Sequence, residues 1–76
     1  MRTAGGLEPL ATLWRLAWNG DRLACMVYRQ SDGRLQLRVE VAEVIIVDER
    51  FELRPRMLAR ARALREALKR RGWEEV

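Results

Sequence analysis

Histidine is absent from this chain, and cysteine and serine each occur once, as Cys25 and Ser31. The absence of imidazole removes Ser-His-Asp triads, His-based acid–base work and His-containing zinc sites together. One cysteine leaves no sulfur-rich metal site. No histidine or lysine lies near Cys25 in sequence to lower its pKa, so it reads as an inert core side chain. Ser31 belongs to the turn sequence Ser31-Asp32-Gly33. The pair Gly5-Gly6 leads into no helix, so it forms no phosphate-binding loop. What remains is the acidic group Asp48, Glu49 and Glu52, carboxylates able to hold Mg²⁺ or to act as an acid–base pair. Arg50 and Arg54 offer them a simpler use as ion-pair partners. A catalytic pocket with perturbed carboxylates is also hard to build in 76 residues. The expectation is a protein that is not an enzyme and takes no cofactor and no metal.

The other chemistry-bearing side chains are arginines, 14 of them against one lysine. From Arg54 to Arg71 eight basic residues stand against one acid, Glu66. That segment therefore carries +7, and the rest of the chain −3, of the net +4. A positive field of this kind suits an anionic partner. Arginine in place of lysine is also what a GC-rich coding sequence produces.

The basic segment has helical spacing. Pro55 suits a first helical turn, and Met57, Leu58, Ala61, Leu64 and Leu68 fall on one stripe. Gly72 fits the residue after the C-cap, with Trp73 closing a Schellman ending over Leu68. The spacing predicts one amphipathic helix over about 55–71, with an i,i+4 pair from Glu66 to Arg70.

Upstream, apolar and polar residues alternate over about 10–18, 22–30 and 34–41, with a shorter apolar run at 43–48. Asn19-Gly20 is a type I′ hairpin signal. With a two-residue turn there, Leu16 faces Leu23, Trp14 faces Cys25 and Thr12 faces Val27. A two-residue turn at Asp32-Gly33 puts charges on the apolar side. A three-residue loop with Gly33 in the left-handed region instead sets Val27 against Leu37, Cys25 against Val39 and Leu23 against Val41. A one-residue slip inverts a whole strand, so this agreement selects the register. At Ala42-Glu43 either a tight turn or a bulge in one long strand continues the chain. The tight turn places Val44 and Ile46 on the buried face. Asp48 to Arg54 reads as a connecting loop.

The predicted fold is therefore α+β: an antiparallel β-meander of three to four strands with one C-terminal helix packed on one face. Residues 1–9, with Gly5, Gly6 and Pro9, read as a flexible lead, and 10–76 as a single domain. No apolar stretch approaches the ~20 residues that cross a bilayer, and no signal sequence is apparent, so no membrane partner is expected. A lone cysteine fits a cytoplasmic setting.

Two surfaces are left for function. On the far face of the sheet, Leu13 and Met26 lie beside Arg38, Tyr28 beside Gln36, and Arg15 beside Ala24, with Arg22 nearby and Ile45 and Val47 as possible neighbours. Apolar and aromatic side chains mixed with arginines suit single-stranded nucleic acid or a second copy of the chain. On the helix, Ala59, Ala63 and Ala67 form a low ridge. Arg56, Arg60 and Arg71 flank one side of it, and Arg62, Arg65 and Lys69 the other. A β-meander followed by one helix resembles whirly-like single-stranded DNA-binding domains in element order. The resemblance is one of architecture and rests on no motif; the two surfaces themselves suggest nucleic-acid binding, through Arg15, Arg22, Tyr28, Arg38, Arg56, Arg60, Arg62 and Lys69. The alternative is a homodimer through Leu13, Met26 and Tyr28 or through the alanine ridge.

Overall fold

The computed structural model describes residues 6–76. The elements are β1 (Glu8–Trp18), β2 (Asp21–Arg29), β3 (Leu35–Val41), β4 (Val44–Phe51), α1 (Arg54–Arg70) and β5 (Glu74–Glu75). They form one antiparallel sheet in the order β4-β3-β2-β1-β5, with α1 packed on one face. The α+β meander is as the sequence predicts. Residues 1–5 of the expected lead lie outside the described residues, and β1 begins at Glu8 and includes Pro9, which pairs with Tyr28.

Turn chemistry explains the two long hairpins. Asn19 and Gly20 both take positive φ, 54° and 87°, as a type I′ turn requires. Leu16 then faces Leu23 and Trp14 faces Cys25. In the next loop Gly33 has φ 88°, and its N–H donates to the Gln30 carbonyl at 2.9 Å. Val27 faces Leu37, Cys25 faces Val39 and Leu23 faces Val41, the register of the three-residue loop. Chain direction reverses again at Ala42-Glu43 as a tight turn. Both residues are forced to positive φ, 49° and 68°, a conformation that costs an L residue about 1–2 kcal/mol each.

Bulges depart from the alternation. In β1 the register shifts at Leu13, so Thr12 pairs with Met26 and not with Val27, which faces Ala11. In β4 Ile46 is the extra residue: Ile45 pairs with Glu40 and Val47 with Val39. Val47 therefore packs against the core, while Val44, Ile45 and Ile46 stay exposed at 60%, 44% and 51%. The expected burial of Val44 and Ile46 does not occur. β4 also runs on to Phe51, through the stretch read as a loop, because Asp48, Glu49, Arg50 and Phe51 continue the ladder with β3.

The core is Trp14, Leu16, Leu23, Cys25, Val27, Leu37 and Val39 from the sheet, with Met57 and Ala61 from the helix. Leu64, Leu68 and Trp73 pack against it. Leu58, assigned to the same stripe, is 43% exposed. It sits on the flank, about 100° around the helix from Met57. The helix N-cap is Leu53, without a side-chain cap, and Pro55 lies in the first turn. At the other end the Trp73 N–H reaches the Leu68 carbonyl at 3.2 Å and the Gly72 N–H reaches that of Lys69 at 3.0 Å. This is the Schellman pattern. Gly72 has φ 109°, and a side chain there would meet the Trp18 indole at 3.4 Å. The Trp18 and Trp73 rings lie 5.9 Å apart at 46°. The reversal then carries the chain onto the edge of β1, where Glu74 pairs with Ala17 and Glu75 with Leu16. This short β5 has no signal in the alternation and was not expected.

Candidate functional site

The strand order places the two flanks of α1 over opposite edges of the sheet. On one side Arg60 forms a two-pronged pair with Glu49 of β4, both contacts at 3.0 Å. This pair holds the Glu49 carboxyl below its usual range, through the Arg60 hydrogen bond first, with burial opposing and the guanidinium charge assisting. On the other side Glu75 of β5 takes Lys69 at 3.2 Å and Arg65 at 3.5 Å. Glu66 pairs with Arg65 at 3.6 Å; the predicted Glu66–Arg70 bridge is not formed. These acids neutralise part of the helix charge. Arg54, Arg56, Arg62, Arg70 and Arg71 pair with no carboxylate among the described residues. Arg56 and Arg70, fourteen residues apart, are separated by about 21 Å along the axis.

Ala59 and Ala63 are exposed, while Ala67 is partly covered. Of the cations that flank the ridge, Arg56, Arg62 and Arg71 pair with no carboxylate among the described residues. Two copies meeting there bring like charges together, which opposes a homotypic helix contact.

The far face of the sheet is a connected polar surface. Tyr28 lies under the Arg38 guanidinium, 5.3 Å from its ring centre, and its hydroxyl donates to Glu40 at 3.4 Å. Burial, then the Glu40 charge, raises the Tyr28 pKa, with Arg38 opposing. Arg38 also reaches Asp48 at 3.5 Å. Asp48 accepts from the amide of Gln36, which in turn accepts from Gln30. Gln36 is thereby satisfied although only 3% exposed. Arg38 thus covers one side of the Tyr28 ring. Leu13, assigned to this face, is turned to the helix side by its bulge and packs against the core. Thr12 takes its place, and its hydroxyl donates to the Met26 sulfur at 3.1 Å. Val47 likewise leaves this face, whereas Ile45 stays on it, opposite Glu40. Arg15 and Arg22 line a cavity of about 270 Å³ with Ala24, Glu40 and Glu43, and neither forms an ion pair among the described residues.

The acidic group of β4 and its following turn is dispersed. Asp48 faces Arg38, Glu49 faces Arg60, and Glu52 reaches Arg34 at 3.3 Å. Their partners come from other elements, not from the neighbouring Arg50 and Arg54. No cluster of acids, cysteine and histidine able to hold a metal occurs among the described residues. The Cys25 thiol is buried in the sheet centre, where desolvation pushes its pKa up to about 12. It stays protonated and serves packing. No helix of the described residues is long and apolar enough to cross a membrane.

No protein family, curated protein or solved structure matches this chain.

Proposed function

We propose that this chain is a small nucleic-acid-binding module that meets the phosphate backbone with the outer surface of α1. The observation that carries the reading is the sorting of helix cations. Arg60, Arg65 and Lys69 are held by Glu49, Glu66 and Glu75. Arg56, Arg62, Arg70 and Arg71 pair with no carboxylate among the described residues. They surround a surface kept low by Ala59 and Ala63, on which Glu66 is the one acid, turned to Arg65. Phosphate contact is sequence-independent and salt-dependent. With Tyr28 engaged by Arg38 and Glu40, the far face contributes Arg15 and Arg22 at most. Anisotropy titration of labelled single- and double-stranded oligonucleotides over a range of salt tests this. Affinity falls linearly on a log–log plot if the reading holds, and no binding at ~50 mM salt removes it.

A second reading is a homodimer, and one observation favours it. β4 is an edge strand with three successive exposed apolar residues, Val44, Ile45 and Ile46. Ile45 continues onto the far face of the sheet. Exposed apolar edges of this kind promote association. Light scattering at ~100 µM reports about twice the chain mass if this holds, and a monomer there rules it out.

A further inference from the structure

Among the described residues, the cleft between the outer edge of β1 and α1 has walls of two kinds, apolar side chains and arginines. One cavity of about 110 Å³ lies among Leu10, Leu13, Leu35, Met57 and Leu58, with Arg54 as its charged neighbour. A second of about 260 Å³ lies among Leu13, Trp14, Leu58 and Ala61 and includes Arg62 and Arg65. Leu13 and Leu58 belong to both, so the two adjoin. Among the described residues no carboxylate lines either one. Each is of a size for one large apolar side chain. Leu10 and Leu58 remain 39% and 43% exposed on the two walls.

The polar groups of the cleft are incomplete. Arg54 and Arg62 have no carboxylate partner among the described residues. Among the described residues the Nε–H of Arg65 is buried with no hydrogen-bond acceptor, while its terminal nitrogens reach Glu75 and Glu66 only at 3.5 Å and 3.6 Å. A buried N–H without an acceptor is costly, and the terminal nitrogens of Arg65, held only by those two long contacts, keep donors for an incoming carboxylate. The C-terminal segment covers β1 at Ala17 and Leu16 through β5, and the Val76 N–H donates to the Arg15 carbonyl at 3.3 Å. Pro9 and the register shifts at Leu10 and Leu13 interrupt the rest of that edge, so a continuous added strand is disfavoured and recognition falls to side chains.

We propose that this cleft docks a short peptide segment of a partner protein, one that sets one or two large apolar side chains beside carboxylates. Both halves of that description are needed. A nucleic acid answers the arginines but not Leu10, Leu13 and Leu58. The first five residues of this chain have Arg2 as their only charged side chain, so they do not complement Arg54, Arg62 and Arg65. A second copy of α1 brings further cations.

The test applies a displayed library of random short peptides to the full chain, followed by binding of the labelled selected peptides and amide NMR shifts. Selected peptides combine Leu, Phe or Met with Asp or Glu, and the shifts centre on Leu10, Leu13, Leu58, Arg62 and Arg65. Leu58→Glu alters an exposed position and keeps the folded spectrum; both it and Arg62→Glu weaken peptide binding at least about tenfold. Arg56→Glu, outside the cleft, leaves peptide affinity within about twofold. The proposal is overturned if no peptide is selected or if the selected peptides lack acids. It also falls if the shifts map elsewhere, if neither cleft variant weakens binding, or if Arg56→Glu weakens it equally. Oligonucleotides shifting these same amides while peptides do not has the same consequence.

Discussion

The indole nitrogen of Trp14 donates a buried hydrogen bond to the backbone carbonyl oxygen of Ala61 at 3.1 Å. The two residues lie 47 positions apart, and both are buried, at 7% and 3% exposure. The contact joins the middle of β1 to the middle of α1 and sets where the helix sits along the sheet. Trp14→Phe keeps an aromatic ring but removes the donor and part of the volume. Urea unfolding of that variant is expected to show a loss of about 2 kcal/mol with an unchanged m-value. Trp18→Phe, at a 49% exposed position, is expected to cost less.

The Arg60–Glu49 pair predicts a pH dependence. Because the folded-state pKa of Glu49 is lowered from its ordinary value of 4.5, its stabilisation is present above that value. It is lost as pH falls through the folded pKa. Glu49→Gln therefore lowers stability at neutral pH and flattens the acid limb of the stability curve. Both partners are partly exposed, 44% and 36%, so solvent screening holds the effect to less than about 1 kcal/mol. Urea midpoints measured at neutral and at acid pH for both proteins check it.

Ala42 and Glu43 occupy a two-residue turn whose positive φ suits neither. Replacing them by Asn and Gly gives the turn its preferred residues. The expected outcome is a gain of about 1 kcal/mol, read as a higher thermal midpoint. A loss of stability disproves the strain assigned to this turn.

The two faces of the sheet are distinguishable by one charge each. Met26→Glu enters the polar far face beside Arg38 and Thr12 and is expected to change stability by less than about 1 kcal/mol. Val39→Glu places an unpaired charge in a fully buried position and is expected to abolish folding, as circular dichroism shows directly.

If α1 binds nucleic acid, individual arginines contribute unequally. Arg56→Ala and Arg70→Ala each reduce the salt slope on duplex DNA by about 0.9. Arg60→Ala changes it less, because the Arg60 guanidinium is bound to Glu49. Equal slopes for all three variants contradict the sorting of free and held cations.

The registers of the two long hairpins are legible in the chain because turn geometry is local. Asn19-Gly20 and Gly33 supply positive φ where it is needed, and each turn then dictates which apolar residues meet. The Schellman ending at Gly72-Trp73 is local too. The bulges at Leu13 and Ile46 are not legible. Leu13-Trp14 and Ile45-Ile46-Val47 are runs of adjacent apolar residues, and alternation cannot say which of them faces the core. The helix decides that by covering Leu13, Trp14 and Val47, and so Leu13 leaves the far face and Val44 and Ile46 stay exposed.

The sequence by itself determined the charge of the basic segment, its helical spacing and the absence of histidine chemistry, since these depend only on residue type and neighbours along the chain. Only the tertiary structure decided which cations are free. Glu49 and Glu75 come from strands at opposite edges of the sheet, and their meeting with Arg60, Arg65 and Lys69 depends on strand order. The same packing covers Tyr28 with Arg38 and leaves Arg62 and Arg65 beside Leu13 and Leu58. The meetings of the helix with Glu49, Glu75 and Leu13 arise between residues of different elements, so periodicity carries no trace of them.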